Sequence, residues 1–164
     1  MRLLAAAWLG AALAAPPTGA PLAGAASVSP EAEVGRHAQR LWRAVATCDV
    51  AGLLEFVPQE GLLCGDRFLA RAELKRQLDD RRSELRTFLC DEAAFRTRHA
   101  QPGEGPSVAA FFHQKGLTIR VEWTAPSRDE ANAYFQAGES EAFVQVVLVR
   151  RAGRWVVLGY PFCR

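Results

Sequence analysis

Four cysteines, Cys48, Cys64, Cys90 and Cys163, carry the most specific chemistry in this 164-residue chain. None belongs to a Cys-x-x-Cys pair, so neither a zinc cluster nor a thioredoxin-like motif is predicted, and no metal ligand is assigned. An even number at wide spacing suits two structural disulfides in an oxidising compartment. Spacing alone leaves three connectivities open. His37, His99 and His113 fall on three separate elements and read as surface or packing histidines. A Cys–His nucleophile pair needs a thiolate, which paired cysteines do not supply. The chain contains no G-x-S-x-G, H-E-x-x-H, P-loop or G-x-G-x-x-G, the motifs that would mark hydrolase, zincin or nucleotide chemistry. Asp79-Asp80 and Asp91-Glu92 are adjacent carboxylates, and neighbours on a helix point to different sides. They read as solvated surface rather than a general acid/base pair. No catalytic residue and no cofactor are assigned.

The aromatic residues read mostly as core. Trp42, Phe88, Phe111, Phe112, Phe143 and Trp155 fall at core spacing. Trp123 ends an alternating apolar run, and Tyr134-Phe135 follow a polar stretch. Trp123, Tyr134 and Phe135 together are the candidate rim of a pocket.

Charge and composition narrow the partners. Lys+Arg is 20 against Asp+Glu 18. A net charge this small gives no long-range field to steer nucleic acid or an anionic membrane. Met1-Arg2 followed by the apolar segment Leu3–Ala15 and then Ala23-Gly24-Ala25 has the order of a secretory signal peptide with a small-x-small cleavage site. The apolar segment is too short to cross a bilayer, which takes about 20 residues. The expected organisation is a signal peptide over 1–26 and one secreted or periplasmic domain over 27–164. No transmembrane span is expected in that domain.

The elements that must position these residues follow from periodicity. Ser29-Pro30-Glu31 is a helix start, with a capping hydroxyl, Pro at the first position and acid in the first turn. Val34, Ala38, Leu41, Trp42 and Val45 then make one apolar face. Asp49 can cap a short second helix through Val57, stopped by Pro58. Leu62–Cys64 and Arg67–Leu69 flank Gly65-Asp66, a two-residue hairpin turn with glycine at its first central position. One longer helix is expected from Ala70 to Leu89. Ala94–Ala100 reads as an edge strand. Ser107 can cap a short helix carrying Phe111 and Phe112. Leu117, Ile119, Val121 and Trp123 alternate with polar residues, a half-buried strand. Ala125–Ala133 reads as a loop. Phe143–Val149, apolar on both faces, is expected to be a central strand, and Trp155–Phe162 the last one. Helices segregated from strands predict an α+β fold, with N-terminal helices packed on a curved, mostly antiparallel sheet.

This order resembles the nuclear transport factor 2-like, cone-shaped superfamily. The resemblance rests on Leu41-Trp42-Arg43-Ala44-Val45, on Asp49-Val50-Ala51-Gly52-Leu53-Leu54, on the hairpin before Ala70-Arg71-Ala72-Glu73-Leu74, and on Gly153-Arg154-Trp155-Val156-Val157. It covers most of residues 27–164 as a pattern of elements. The helix at Ser107–Lys115, set between strands, departs from the usual layout. The resemblance implies an apolar pocket between helices and sheet, in a family of isomerases, cyclases, dehydratases and many non-catalytic binding domains. The Tyr and Asp pattern of its ketosteroid isomerase-like members is not matched, so no catalytic residue carries over. The cone layout also implies Cys64–Cys163 and Cys48–Cys90, since it sets the early hairpin beside the last strand and the ends of the first and third helices together.

The sequence therefore points to an exported, non-catalytic domain that binds a small apolar ligand or an envelope protein. A proton-transfer enzyme of the cone type is the alternative, and would need a desolvated carboxylate or histidine facing an apolar cavity. A structural or inhibitory interaction protein is the second alternative, and would show an exposed apolar patch. The aromatic supply predicts a mostly filled or shallow pocket.

Overall fold

A computed structural model describes residues 29–99, 107–124, 126–138 and 143–163. The expected signal peptide over 1–26 lies outside the described residues. Helix α1 spans Pro30–Ala46, and the Ser29 side chain accepts from the Ala32 N–H as its cap. Its buried stripe is Val34, Ala38, Leu41, Ala44 and Val45, at the spacing read from the sequence. Asp49 caps α2, Val50–Glu55, by accepting from the Gly52 N–H. The helix stops two residues short of Val57, which is buried beside the sheet.

Strands β1 (Gly61–Cys64) and β2 (Arg67–Ala70) form the expected hairpin, with Cys64 opposite Arg67. Gly65 takes the positive φ, +61°, that its place in the turn requires. Side chains alternate across the strand, so Leu62 and Leu69 share the inner face while Leu63 and Phe68 share the outer one.

The single helix expected over Ala70–Leu89 is two: α3 (Arg71–Asp79) and α4 (Glu84–Cys90). Local polar side chains compete with the helix here. Asp80 Oδ1 accepts from the Arg82 N–H at 2.9 Å, and Ser83 Oγ caps α4 at the Arg86 N–H, 3.0 Å. The carbonyls freed at the end of α3 are answered by Ser83 and by Arg86 Nη1, which reaches Leu78 O at 2.6 Å. The edge strand expected over Ala94–Ala100 is instead helix α5, Glu92–Arg98. Its signals are helical: Asp91 caps it, Glu92 lies in the first turn, and Arg96 and Arg98 lie in the last. Helix α6, Val108–Phe112, is capped by Ser107 as expected.

The main sheet runs β3 (Leu117–Trp123), β4 (Glu130–Ala137), β5 (Phe143–Arg151), β6 (Arg154–Val157), in that order and antiparallel throughout. The loop expected over Ala125–Ala133 gives way to β4 at Glu130. Its alanines hide the strand signal in the sequence, yet Ala131, Ala133 and Ala137 are buried, and such small side chains suit a sheet face that a helix must approach closely. Strand β6 ends at Val157 rather than Phe162, and the chain then turns through Gly159 to Phe162. The class is α+β, as the sequence predicts. Helix α1 packs on β3 and β4, where Leu41, Phe112, Phe135 and Val146 are buried. Burying a side chain such as Phe135 contributes about 1.5–3 kcal/mol.

Two disulfides staple this arrangement. Cys48–Cys90 joins the ends of α1 and α4, with Cα atoms 5.3 Å apart, and Cys64–Cys163 joins β1 to the C-terminal segment at 5.1 Å. This is the connectivity that the cone layout implies. Among the described residues no helix is long and apolar enough to cross a membrane.

Candidate functional site

The space between α1 and the sheet is occupied by side chains. The Phe112 and Phe135 rings lie 4.8 Å apart there. The three residues read as a pocket rim are not brought together. Phe135 is fully buried on the inner face of β4. Tyr134, its neighbour, points to the outer face because strand side chains alternate. It lies under the Arg120 guanidinium at 4.5 Å and 5.7 Å from the Phe143 ring. Trp123 is half-buried at the end of β3, where its Nε1 donates to Glu31 Oε1 at 2.9 Å. Glu31's own backbone hydrogen bond, joined by this indole contact, holds its carboxyl below the usual value.

A cleft of mixed polar and apolar lining opens elsewhere, beside the Cys64–Cys163 bridge. It has a volume of about 270 Å³. Leu69, Leu85, Phe88 and Phe162 form its walls with the two bridged cysteines. Arg67, Gln77 and Glu84 supply its polar groups. Each wall has a local cause. The hairpin turns Leu69 inward opposite Leu62. The Ser83 cap starts α4 so that Leu85 and Phe88, three apart, share a face. The bridge holds Phe162 against the hairpin, and the Cys163 Sγ lies 3.8 Å from Leu63 O.

Behind Phe88 stands an aromatic cluster. Phe95 is 5.5 Å from Phe88, and Tyr160 meets Phe88 edge-on at 6.3 Å. Burial pushes the Tyr160 hydroxyl up to about 12, so it stays protonated throughout the physiological range. At the cleft itself, Glu84 pairs with His99 Nε2 at 2.6 Å, and the His99 ring stacks on Phe95 at 4.6 Å. The Glu84 side chain keeps 48 % of its surface in water. Such a carboxylate is solvated, and its contact with His99 lies at the surface.

The arrangement can seat a small apolar body against four hydrophobic side chains and orient it by the polar groups around it. Among the described residues no three His, Cys, Asp or Glu side chains converge as a metal site would require. Sequence reading assigned the two cysteines of this site and missed Leu69, Leu85 and Phe162. Its one usable signal was the hairpin, which turns Leu69 inward. No family model, curated protein or solved structure matches this chain.

Proposed function

We propose that this chain is an exported, non-catalytic binding domain that takes a small apolar ligand in the cleft beside Cys64–Cys163. The wall residues carry the reading: Leu69, Leu85, Phe88 and Phe162 line one cleft together, and Arg67, Gln77 and Glu84 give it a polar share about equal to the apolar one. Binding is favoured over proton transfer because the acid–base pair at this cleft, Glu84–His99, leaves its carboxylate half-exposed, whereas proton abstraction calls for a desolvated group. Two disulfides and the composition of residues 1–26 support export to an oxidising compartment. The cone-shaped superfamily remains part of this proposal. It is supported by the order helix, helix, hairpin, then helices α3 to α6 and the antiparallel strands β3 to β6.

The test is a methyl-region NMR titration of the exported protein with toluene. Saturable shifts should appear at Leu69 and Leu85 and not at Leu63, on the other face of the hairpin. Leu85→Trp should fill the cleft and abolish them. Shifts scattered over the surface, or unchanged in L85W, would remove the assignment.

A protein partner is the second reading, favoured by one observation. Leu63 and Phe68 stand opposite each other on the outer face of the hairpin, 65 % and 55 % exposed. Exposed apolar pairs of this kind mark contact surfaces more often than scattered single residues do. A photo-crosslinker at position 63 in the exported protein should give one discrete adduct that the same crosslinker at position 158 does not. Identical adduct patterns would discard this reading.

A further inference from the structure

A second cleft, of about 390 Å³, shares no lining residue with the first. His37 and Arg40 enter it from α1, Glu55 and Phe56 from the end of α2, and Gly153, Arg154 and Trp155 from the start of β6. His37 and Arg40 are three apart, so they project from one face of the helix. The turn into β6 uses positive φ at Ala152 and Gly153, +48° and +75°, which brings Arg154 across to α2. There its Nη2 donates to the backbone carbonyl of Glu55 at 3.0 Å.

The charges in this cleft are unequally matched. The Glu55 carboxylate pairs with Arg40. Glu33 Oε1 accepts from Trp155 Nε1 at 3.0 Å. Arg154 has no carboxylate partner among the described residues. Neither ring nitrogen of His37 has a hydrogen-bond partner among them. Burial, and then the Arg40 charge, hold that imidazole below its ordinary value, so at neutral pH it offers one donor and one acceptor. Phe56 and Trp155 are both buried and give an aromatic floor. The Arg40 guanidinium lies 6.0 Å above the Phe56 ring.

We infer that this cleft binds a small organic carboxylate, seated by Arg154 and His37 with its apolar body on Phe56 and Trp155. A guanidinium takes a carboxylate through two parallel N–H donors. Of the two guanidinium groups among the described residues that line the cleft, Arg40 is paired with Glu55 and Arg154 is not, so the fitting ligand is a monoanion. A phosphate dianion would meet the Glu33 and Glu55 carboxylates with no second unpaired guanidinium among the described lining residues. Glu55 is then an internal competitor: it occupies the Arg40 guanidinium that a ligand carboxylate would otherwise engage.

The test is an NMR titration of the exported protein with benzoate and with benzamide, its neutral isostere, at constant ionic strength. Benzoate should give saturable shifts at the Gly153 amide, the Trp155 indole and the His37 ring. Benzamide should bind about tenfold more weakly or less, because it lacks the charge that strengthens the hydrogen bonds. Arg154→Gln should weaken benzoate by about tenfold or more. Glu55→Gln, at an exposed position that does not threaten folding, should tighten it several-fold by releasing Arg40. Equal binding of benzoate and benzamide, an unchanged titration in R154Q, or weaker binding in E55Q would each overturn the assignment. Toluene shifts at Leu69 and Leu85 report on the other cleft, so the two sites stand or fall separately.

Discussion

Cys48 and Cys90 close a loop of 42 residues between the end of α1 and the end of α4. In the chain-entropy model a loop of that length stabilises by at most about 4 kcal/mol. The double substitution Cys48→Ala/Cys90→Ala should therefore lower unfolding free energy by up to that amount in urea. The native protein should also show no labelled thiol under denaturing, non-reducing conditions. One or more labelled cysteines would contradict the pairing.

Glycines divide sharply by the space around them. Gly61 has φ of +122°, and a Cβ there would meet Leu69 O at 2.1 Å. Gly61→Ala should cost about 1–3 kcal/mol or more and loosen the hairpin that carries Leu69. Gly35, inside α1, has nothing within 4 Å of a Cβ position. Gly35→Ala should stabilise by about 0.5–1 kcal/mol through helix propensity. Equilibrium denaturation compares the pair directly, and shifts of the same sign would refute this account.

His37 gives the fold a pH dependence with a definite sign. Its folded value lies below the ordinary 6.5, first because burial disfavours the charged ring and then because Arg40 repels it. The groups around it are Glu33, Arg36 and Arg40 on α1, Glu55 on α2 and Arg154 on β6. Between the folded value and 6.5 the unfolded chain binds more protons, so stability rises with pH across that window. Stability should fall as pH drops below about 6.5 and level off, for this group, once the folded value is passed. Subtracting the profile of His37→Gln from that of the native protein isolates the effect. A flat difference between pH 7 and 5 would remove it.

Adjacent residues of β4 should behave very differently. Phe135→Ala empties the space facing Phe112 and should cost about 3–5 kcal/mol. Tyr134→Ala removes one ring contact and one cation–π contact on the half-buried outer face and should cost about 1 kcal/mol. Thermal unfolding of the two variants decides it. Equal losses would mean that β4 is not registered with Phe135 inward.

Signals that act within one turn of helix or one pair of strands were legible without coordinates. Ser29, Asp49 and Ser107 cap the helices expected of them, because a cap hydrogen bond spans three residues. The alternation Leu117, Ile119, Val121, Trp123 is the half-buried face of β3. The Gly65-Asp66 turn closes a hairpin with Cys64 opposite Arg67. The four cysteines, wherever they paired, announced two bridges.

Tertiary structure decided whatever depended on contacts beyond that range. A run of alanines at 131, 133 and 137 carries no strand signal, and the helix packed over it makes it a buried strand. The stretch from Ala70 to Leu89 has helical spacing throughout, but Asp80 and Ser83 offer the backbone better local partners, and Arg86 seals the break. The cleft beside Cys64–Cys163 joins Leu69, Leu85 and Phe162, and the second joins His37, Glu55 and Arg154. Residues so far apart meet only after bridges, caps and turns have fixed the paths between them, and no spacing rule reaches that far. For that reason the histidine that read as surface or packing, His37, lines the larger cleft, while the aromatic residue that read as a rim, Phe135, is core.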